Sequence, residues 1–181
     1  LLKGGETVLV LPQLAAHWRE QPALNALDTL PPAFVADVNL GRLARLLRLL
    51  GFDTLYRNDY DDAAVAAAAT NGRVILTRDR RLLMRRQIDF GCFVHADRPR
   101  LQAREVLNRF KLHALVQPFS RCSHCNGQVR RADKQAVLDQ LQPKTRRYYQ
   151  RFWQCTRCGQ VYWEGSHLQG LRDLLSELKA A

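Results

Sequence analysis

No stretch of the sequence approaches the ~20 consecutive apolar residues that a helix needs to cross a bilayer, which excludes an integral helical membrane protein. No basic segment followed by an apolar one opens the chain, so a secretory signal is not expected and the cytoplasm is the expected location. The first residue is Leu rather than Met, and the sequence is expected to begin inside a longer polypeptide. Cysteine is scarce and odd in number, with five in 181 residues, and this argues against a disulfide framework. There is no Walker-type phosphate loop, no Gly-x-Ser-x-Gly elbow and no histidine in a triad pattern, so the common nucleophile chemistries lack their residues. Acidic residues are outnumbered: 17 Asp and Glu face 28 Lys and Arg, a net charge of +11.

That surplus lies in residues 33–163, whereas residues 1–32 and 164–181 are slightly acidic. A basic surface of this size suits a polyanion, most simply nucleic acid. With 46% hydrophobic and 25% charged residues, the composition is that of a globular protein rather than a disordered one.

Residues 6–11 read as a short strand with nothing nearby to pair with, and Gln13–Pro32 reads as a connector. A domain boundary is expected near residue 32, with 1–32 as the end of an upstream module. From Phe34 onward, short apolar strands (34–38, 53–57, 73–77, 90–95) alternate with helical patterns (40–50, 61–71, 80–86, 99–110). That rhythm predicts a right-handed parallel α/β sheet over residues 33–119. It breaks after Pro118. Residues 120–165 hold both Cys-x-x-Cys pairs, a helix candidate at 132–141 and a basic aromatic stretch at 144–153. An amphipathic helix at 168–178 is expected to pack back onto the body.

In a parallel sheet, acids that follow strands converge on the carboxyl edge, where such folds place their sites. Asp37, Asp59, Asp79 and Asp97 each follow a strand, and Asp61 and Asp62 open a helix. Converging carboxylates repel one another unless a cation neutralises them, and oxygen donors suit Mg²⁺ or Mn²⁺. Carboxylates with such a cation, flanked by Arg78, Arg80 and Arg81, point to phosphodiester hydrolysis. Structural roles compete: Asp61 or Asp62 is a good helix N-cap, and Asp59 and Asp97 suit turns.

Cys122-Ser-His-Cys125-Asn-Gly and Cys155-Thr-Arg-Cys158-Gly are two knuckles whose four thiolates satisfy tetrahedral Zn²⁺ and leave no ligand position open, so the zinc is structural. Cys92 lies in an apolar strand and reads as a buried small hydrophobe. Between the knuckles, Arg146, Arg147 and Arg151 are candidates for phosphate contact, and the neighbouring Tyr and Trp faces for base stacking.

The segments Phe34-Val-Ala-Asp37-Val-Asn-Leu-Gly-Arg-Leu-Ala-Arg45, Leu49-Leu-Gly-Phe-Asp-Thr54, Asp61-Asp62 and Leu76-Thr-Arg-Asp79-Arg80 resemble the PIN-like ribonuclease domain of the Mut-seven carboxy-terminal family. The zinc ribbon that follows that domain matches Cys122 to Trp163, and Gly4–Pro12 is similar to the last strand of the ubiquitin-like module often fused upstream. The resemblance implies a PIN-type fold and a metal-dependent cut in RNA, with Asp37, Asp62 and Asp79 as the acids that hold Mg²⁺ or Mn²⁺. Transfer or ribosomal RNA are candidate partners. One departure is plain: residues 40–50 lack the helix acid of fuller PIN nucleases, and Glu105 lies too late to replace it. The alternative reading is therefore an RNA- or ribosome-binding module of weak or no turnover, stabilised by structural zinc.

Overall fold

The computed structural model describes residues 9–10, 32–69, 72–88, 90–165, 173 and 175–176. Five strands form the main sheet: β1 (Leu9–Val10), β2 (Phe34–Ala36), β3 (Thr54–Leu55), β4 (Val74–Thr77) and β5 (Gly91–Phe93). Their spatial order is β1-β5-β4-β2-β3. The last four run parallel, with Phe34 opposite Thr54 on one side and Val74 on the other, and Leu76 opposite Cys92.

Alternation along these strands assigns each side chain to a face. Phe34, Ala36, Val74, Leu76 and Cys92 point to one side, where α1 (Gly41–Leu49) and α4 (Pro99–Arg109) cover them with Leu43, Leu47, Val106 and Leu107. Val35 and Ile75 point to the other, against Val65 of α2 (Asp62–Ala68) and Leu82 and Leu83 of α3 (Arg80–Leu83). Strands buried on both faces must be apolar throughout, which is why Phe34–Ala36 and Val74–Thr77 carry no charge. The expected helix-flanked parallel sheet is present. Gly51 ends α1 with φ +102°, a left-handed conformation that L side chains resist.

The strand that sequence alone leaves without a partner has one here: Leu9 and Val10 pair antiparallel with Cys92 and Gly91 of β5. The rest of the 6–11 strand and of the 13–32 connector, up to residue 31, lies outside the described residues. Most of the 168–178 helix does too, but residues 173, 175 and 176 are helical and Leu175 packs against the main core.

Residues 120–165 form the smaller part, an antiparallel sheet of β6 (Val129–Ala132), β7 (Phe152–Cys155) and β8 (Val161–Trp163). The helix expected at 132–141 is instead the end of β6 followed by a 3-10 turn at Gln135–Gln140, started by Asp133 accepting from the Gln135 N–H at 2.7 Å. A short helix, α5 (Pro143–Tyr148), leads into β7. Val137, Leu141, Phe152 and Val161 make a small core of their own.

The ribbon is fastened to the open edge of the main sheet. Thr54 of edge strand β3 donates its N–H to Asn126 Oδ1 at 3.1 Å, which occupies a donor that a bare edge would expose. Arg48, only 4% exposed, reaches from α1 to the carbonyls of Thr54 (2.8 Å), His124 (2.9 Å) and Ser123 (3.1 Å). Asp53 receives Arg73 (2.8 Å), Arg121 (3.2 Å) and the Asn126 amide (2.8 Å). Burial works to raise the Asp53 carboxyl, but the hydrogen bonds from Arg73 and Asn126 and the Arg121 charge outweigh it and hold it below its ordinary range.

Candidate functional site

Because β2 and β4 are parallel neighbours, Asp37 and Thr77 emerge side by side at the carboxyl edge, with Asp79 two residues beyond. The Thr77 hydroxyl donates to Asp37 Oδ2 at 2.7 Å and accepts from the Asp79 N–H at 2.9 Å. The other Asp37 oxygen takes the Val38 N–H at 2.6 Å and starts the 3-10 turn Val38–Leu40. Asp37 is 6% exposed and makes no ion pair among the described residues. A buried carboxylate held only by neutral donors retains unused lone pairs and an unneutralised charge.

Asp79 is exposed, and its Oδ1 caps α3 through the Arg81 N–H at 2.7 Å. Asp62 opens α2 on the same edge but holds Arg85 at 2.9 Å, a half-exposed pair. The Thr77 hydroxyl thus joins the Asp37 carboxylate to the backbone of Asp79, while the Asp79 carboxylate caps α3 and Asp62 holds a guanidinium. Among the described residues, the three acids are not drawn into a compact chelating group. Asp61 is the N-cap of α2, accepting from the Ala64 N–H at 2.7 Å. Asp59 and Asp97 pair with Arg57 and Arg78. Glu105 accepts from the N–H groups of His95 and Ala96 just beyond β5, and so holds that strand end rather than joining the other acids.

The arginines have varied surroundings. Arg80 lies over the Phe93 ring at 5.3 Å and Arg147 over Tyr148 at 5.6 Å. Arg146 donates to the Leu138 carbonyl at 2.7 Å, and Arg151 pairs with Glu164 at 2.7 Å. Both therefore have structural partners that the sequence does not announce. Arg81 is exposed and makes no ion pair among the described residues.

The four ribbon cysteines do converge: Cys122, Cys125, Cys155 and Cys158 have sulfurs within 4.8 Å of one another. The measured separations of 3.6 Å (Cys122 to Cys158) and 3.5 Å (Cys125 to Cys155) come close to the ~3.8 Å edge of a tetrahedron with ~2.3 Å metal–sulfur bonds. The donor set therefore fits a structural metal ion. Gly127 makes the close approach possible, since a Cβ there would sit 3.0 Å from Cys155 Sγ and 2.9 Å from Arg157 Cβ. Burial works to raise the Cys122 thiol. Hydrogen bonds from the Tyr162 hydroxyl and the Cys125 and His124 N–H groups bring it down to about 7, favouring the thiolate a metal needs. Burial, with the neighbouring sulfurs, pushes Cys158 up to about 12. Cys92 is fully buried, pushed up to about 12 by burial, and lies apart from the four-cysteine group.

Sequence reasoning did not single out Arg48, Asp53, Asn126 or Tyr162. The first three act between segments far apart in sequence, which local patterns do not register. Tyr162 carried a weak signal as an aromatic beside the second knuckle.

Fold and site together define a class: a helix-flanked parallel α/β domain with acids at its carboxyl edge, joined to a ribbon whose four clustered cysteines could hold a metal ion. The family model described as the Mut7-C RNAse domain matches residues 32–175. The chain belongs to that family, which implies a nuclease- or RNA-related role. No curated protein and no solved structure matches it.

Proposed function

We propose that the protein is a metal-dependent ribonuclease that hydrolyses phosphodiester bonds at the Asp37–Asp79 edge. The observation that carries the reading is the buried Asp37 carboxylate at the carboxyl edge of a parallel sheet, held among the described residues by Thr77 and Val38, with the backbone of Asp79 on the same Thr77 hydroxyl. Asp37 and Asp79 would hold Mg²⁺ or Mn²⁺, with Asp62 joining when its surface pair with Arg85 opens; such pairs are worth only ~0–1 kcal/mol. Bound there, the cation would neutralise a phosphate oxygen and make a water more acidic. Thr77 fixes the rotamer of Asp37 by donating to its carboxylate and positions the backbone of Asp79 by accepting from its N–H. Arg78, Arg80 and Arg81 sit at the same edge and would hold the strand's phosphates, Arg81 with least competition from partners. On the ribbon, Arg147 would extend the phosphate path, and Arg146 and Arg151 would do so by exchanging their internal partners. The ribbon metal is read as Zn²⁺, from its four sulfur donors.

A labelled RNA incubated with Mn²⁺ tests the proposal: cleavage is expected in the parent and absent in Asp37→Asn, with RNA binding kept. Equal cleavage by both proteins would refute it. The Asp62–Arg85 pair and the acid-free α1 favour a second reading, an RNA-binding module of little turnover. That reading predicts tight, salt-sensitive binding and no cleavage with any divalent ion.

A further inference from the structure

Where α1 meets the ribbon, the surface opens into a cleft of about 700 Å³ that the acid edge does not use. Its volume lies within the ~300–1,000 Å³ of small-ligand sites. Aromatic rings line it: Phe119, Tyr148, Tyr149, Tyr162 and Trp163. Phe119 is itself fixed by stacking on Trp153, with centroids 5.6 Å apart and planes 18° from parallel. Tyr162 is fixed by its hydroxyl, which meets Cys122 Sγ and the Ser123 N–H at 3.0 Å each. Rings held this way form a platform prepared in advance. Tyr148, by contrast, stands at the lip and is 67% exposed, with the Arg147 guanidinium over its ring. Among the described residues, the charged side chains that line the cleft are Arg45 and Lys144, with no carboxylate.

A second hollow of about 420 Å³ begins at Val38 and Asn39, immediately after Asp37, and is bounded by Arg42, Tyr56 and Asp97, whose carboxylate is paired with Arg78. Arg45 lines both hollows. Arg42 and Arg45 are exposed, lie one turn apart on α1, and share a helix that contains no acid. A basic track therefore runs from the Asp37 edge across α1 into the aromatic cleft.

We infer that this cleft binds an unpaired nucleotide of a single-stranded RNA, stacking its base on Tyr148 and the inner rings while Arg45 and Lys144 hold the adjoining phosphates. Aromatic faces accept any base but only one that is out of a duplex, so the cleft selects single strands over paired ones. The inference takes RNA as the polyanion from the reading above, and it does not depend on turnover at the acids.

The test is fluorescence anisotropy on the full, metal-loaded chain carrying Asp37→Asn to prevent cutting, with two labelled strands: an oligoribonucleotide and the same strand built of abasic residues. Tyr148→Ala is expected to weaken the base-bearing strand about ten-fold and to leave the abasic strand unchanged. Tyr148→Phe, which keeps the ring, is expected to bind as the parent does, and Arg45→Ala to weaken both strands. Because Tyr148 is exposed, its loss does not threaten the fold, and circular dichroism confirms that. Undiminished binding of the base-bearing strand by Tyr148→Ala, or an equal loss on both strands, would overturn the inference. Absence of cleavage in the parent, with the Tyr148 discrimination intact, would remove the acid-site reading and leave this one standing.

Discussion

Replacing Arg48 with Met removes a guanidinium and keeps most of its apolar stem. Arg48 is 4% exposed and its partners are three carbonyl oxygens, those of Thr54, Ser123 and His124. Swapping a buried ion pair for apolar groups is often neutral because both charges leave together. That compensation is absent here, because the acceptors are backbone groups that stay behind. Thr54 is fully buried, so its carbonyl loses a charged donor with no water to replace it. A hydrogen bond to a charged group contributes ~1.5–3 kcal/mol. His124 is exposed and Ser123 half-buried, so their carbonyls regain water and contribute less. The expected cost is about 2–4 kcal/mol. For a domain of this size that is a fall of roughly 4–16 °C in Tm, read by circular dichroism on metal-loaded protein. Burial works to lower the Arg48 pKa, while Cys122, Cys125 and Asp53 oppose it, so the lost cation should also weaken metal retention by the first knuckle. A change below ~0.5 kcal/mol with unaltered metal affinity would refute the claim that Arg48 fastens the ribbon to the sheet.

Thr77→Val keeps the shape but removes the hydroxyl that joins the Asp37 carboxylate to the Asp79 backbone N–H, and RNA cleavage should fall at least about ten-fold with RNA affinity little changed. Cys155→Ser should release the ribbon metal and expose the amides of β6–β8 to hydrogen exchange while β2 and β4 stay protected, since the two parts have separate cores. Asp53 and Glu105 are both held below the ordinary carboxyl range despite burial, Asp53 by hydrogen bonds from Arg73 and Asn126 with the Arg121 charge, Glu105 chiefly by the N–H groups of His95 and Ala96. Their stabilisation is complete above the unfolded pKa of ~4 and is lost as pH falls through the lower folded value. Denaturation profiles should therefore steepen below about pH 4, and Asp53→Asn should flatten that slope.

The α/β part was legible because its strands are buried on both faces and must be continuous apolar runs, and because Gly51 and Asp61 carry helix-end chemistry. The sulfur centre was legible because a knuckle's geometry is local: two cysteines and a glycine within a few residues. The fastening of the ribbon was not. Asp53 and Asn126, or Arg48 and His124, gain meaning only once the chain has folded. The pairing of Leu9–Val10 with β5 was hidden for the same reason. At 132–141 an apparent helix gave way because Asp133 offers the backbone a turn and Val137 is the one fully buried side chain of the segment. Asp37 and Asp79 follow parallel neighbouring strands, as strand order alone implies, but the attachment of Asp62 to Arg85 depends on where α2 and α3 end up.

Electron paramagnetic resonance titration of Mn²⁺ into protein whose ribbon already holds its metal bears most directly on the carboxylate edge. One Mn²⁺ site per chain is expected, lost in Asp37→Asn, weakened in Asp79→Asn and tightened in Arg85→Ala, which releases Asp62. Mn²⁺ binding that is absent in the parent, or indifferent to Asp37, would contradict the account.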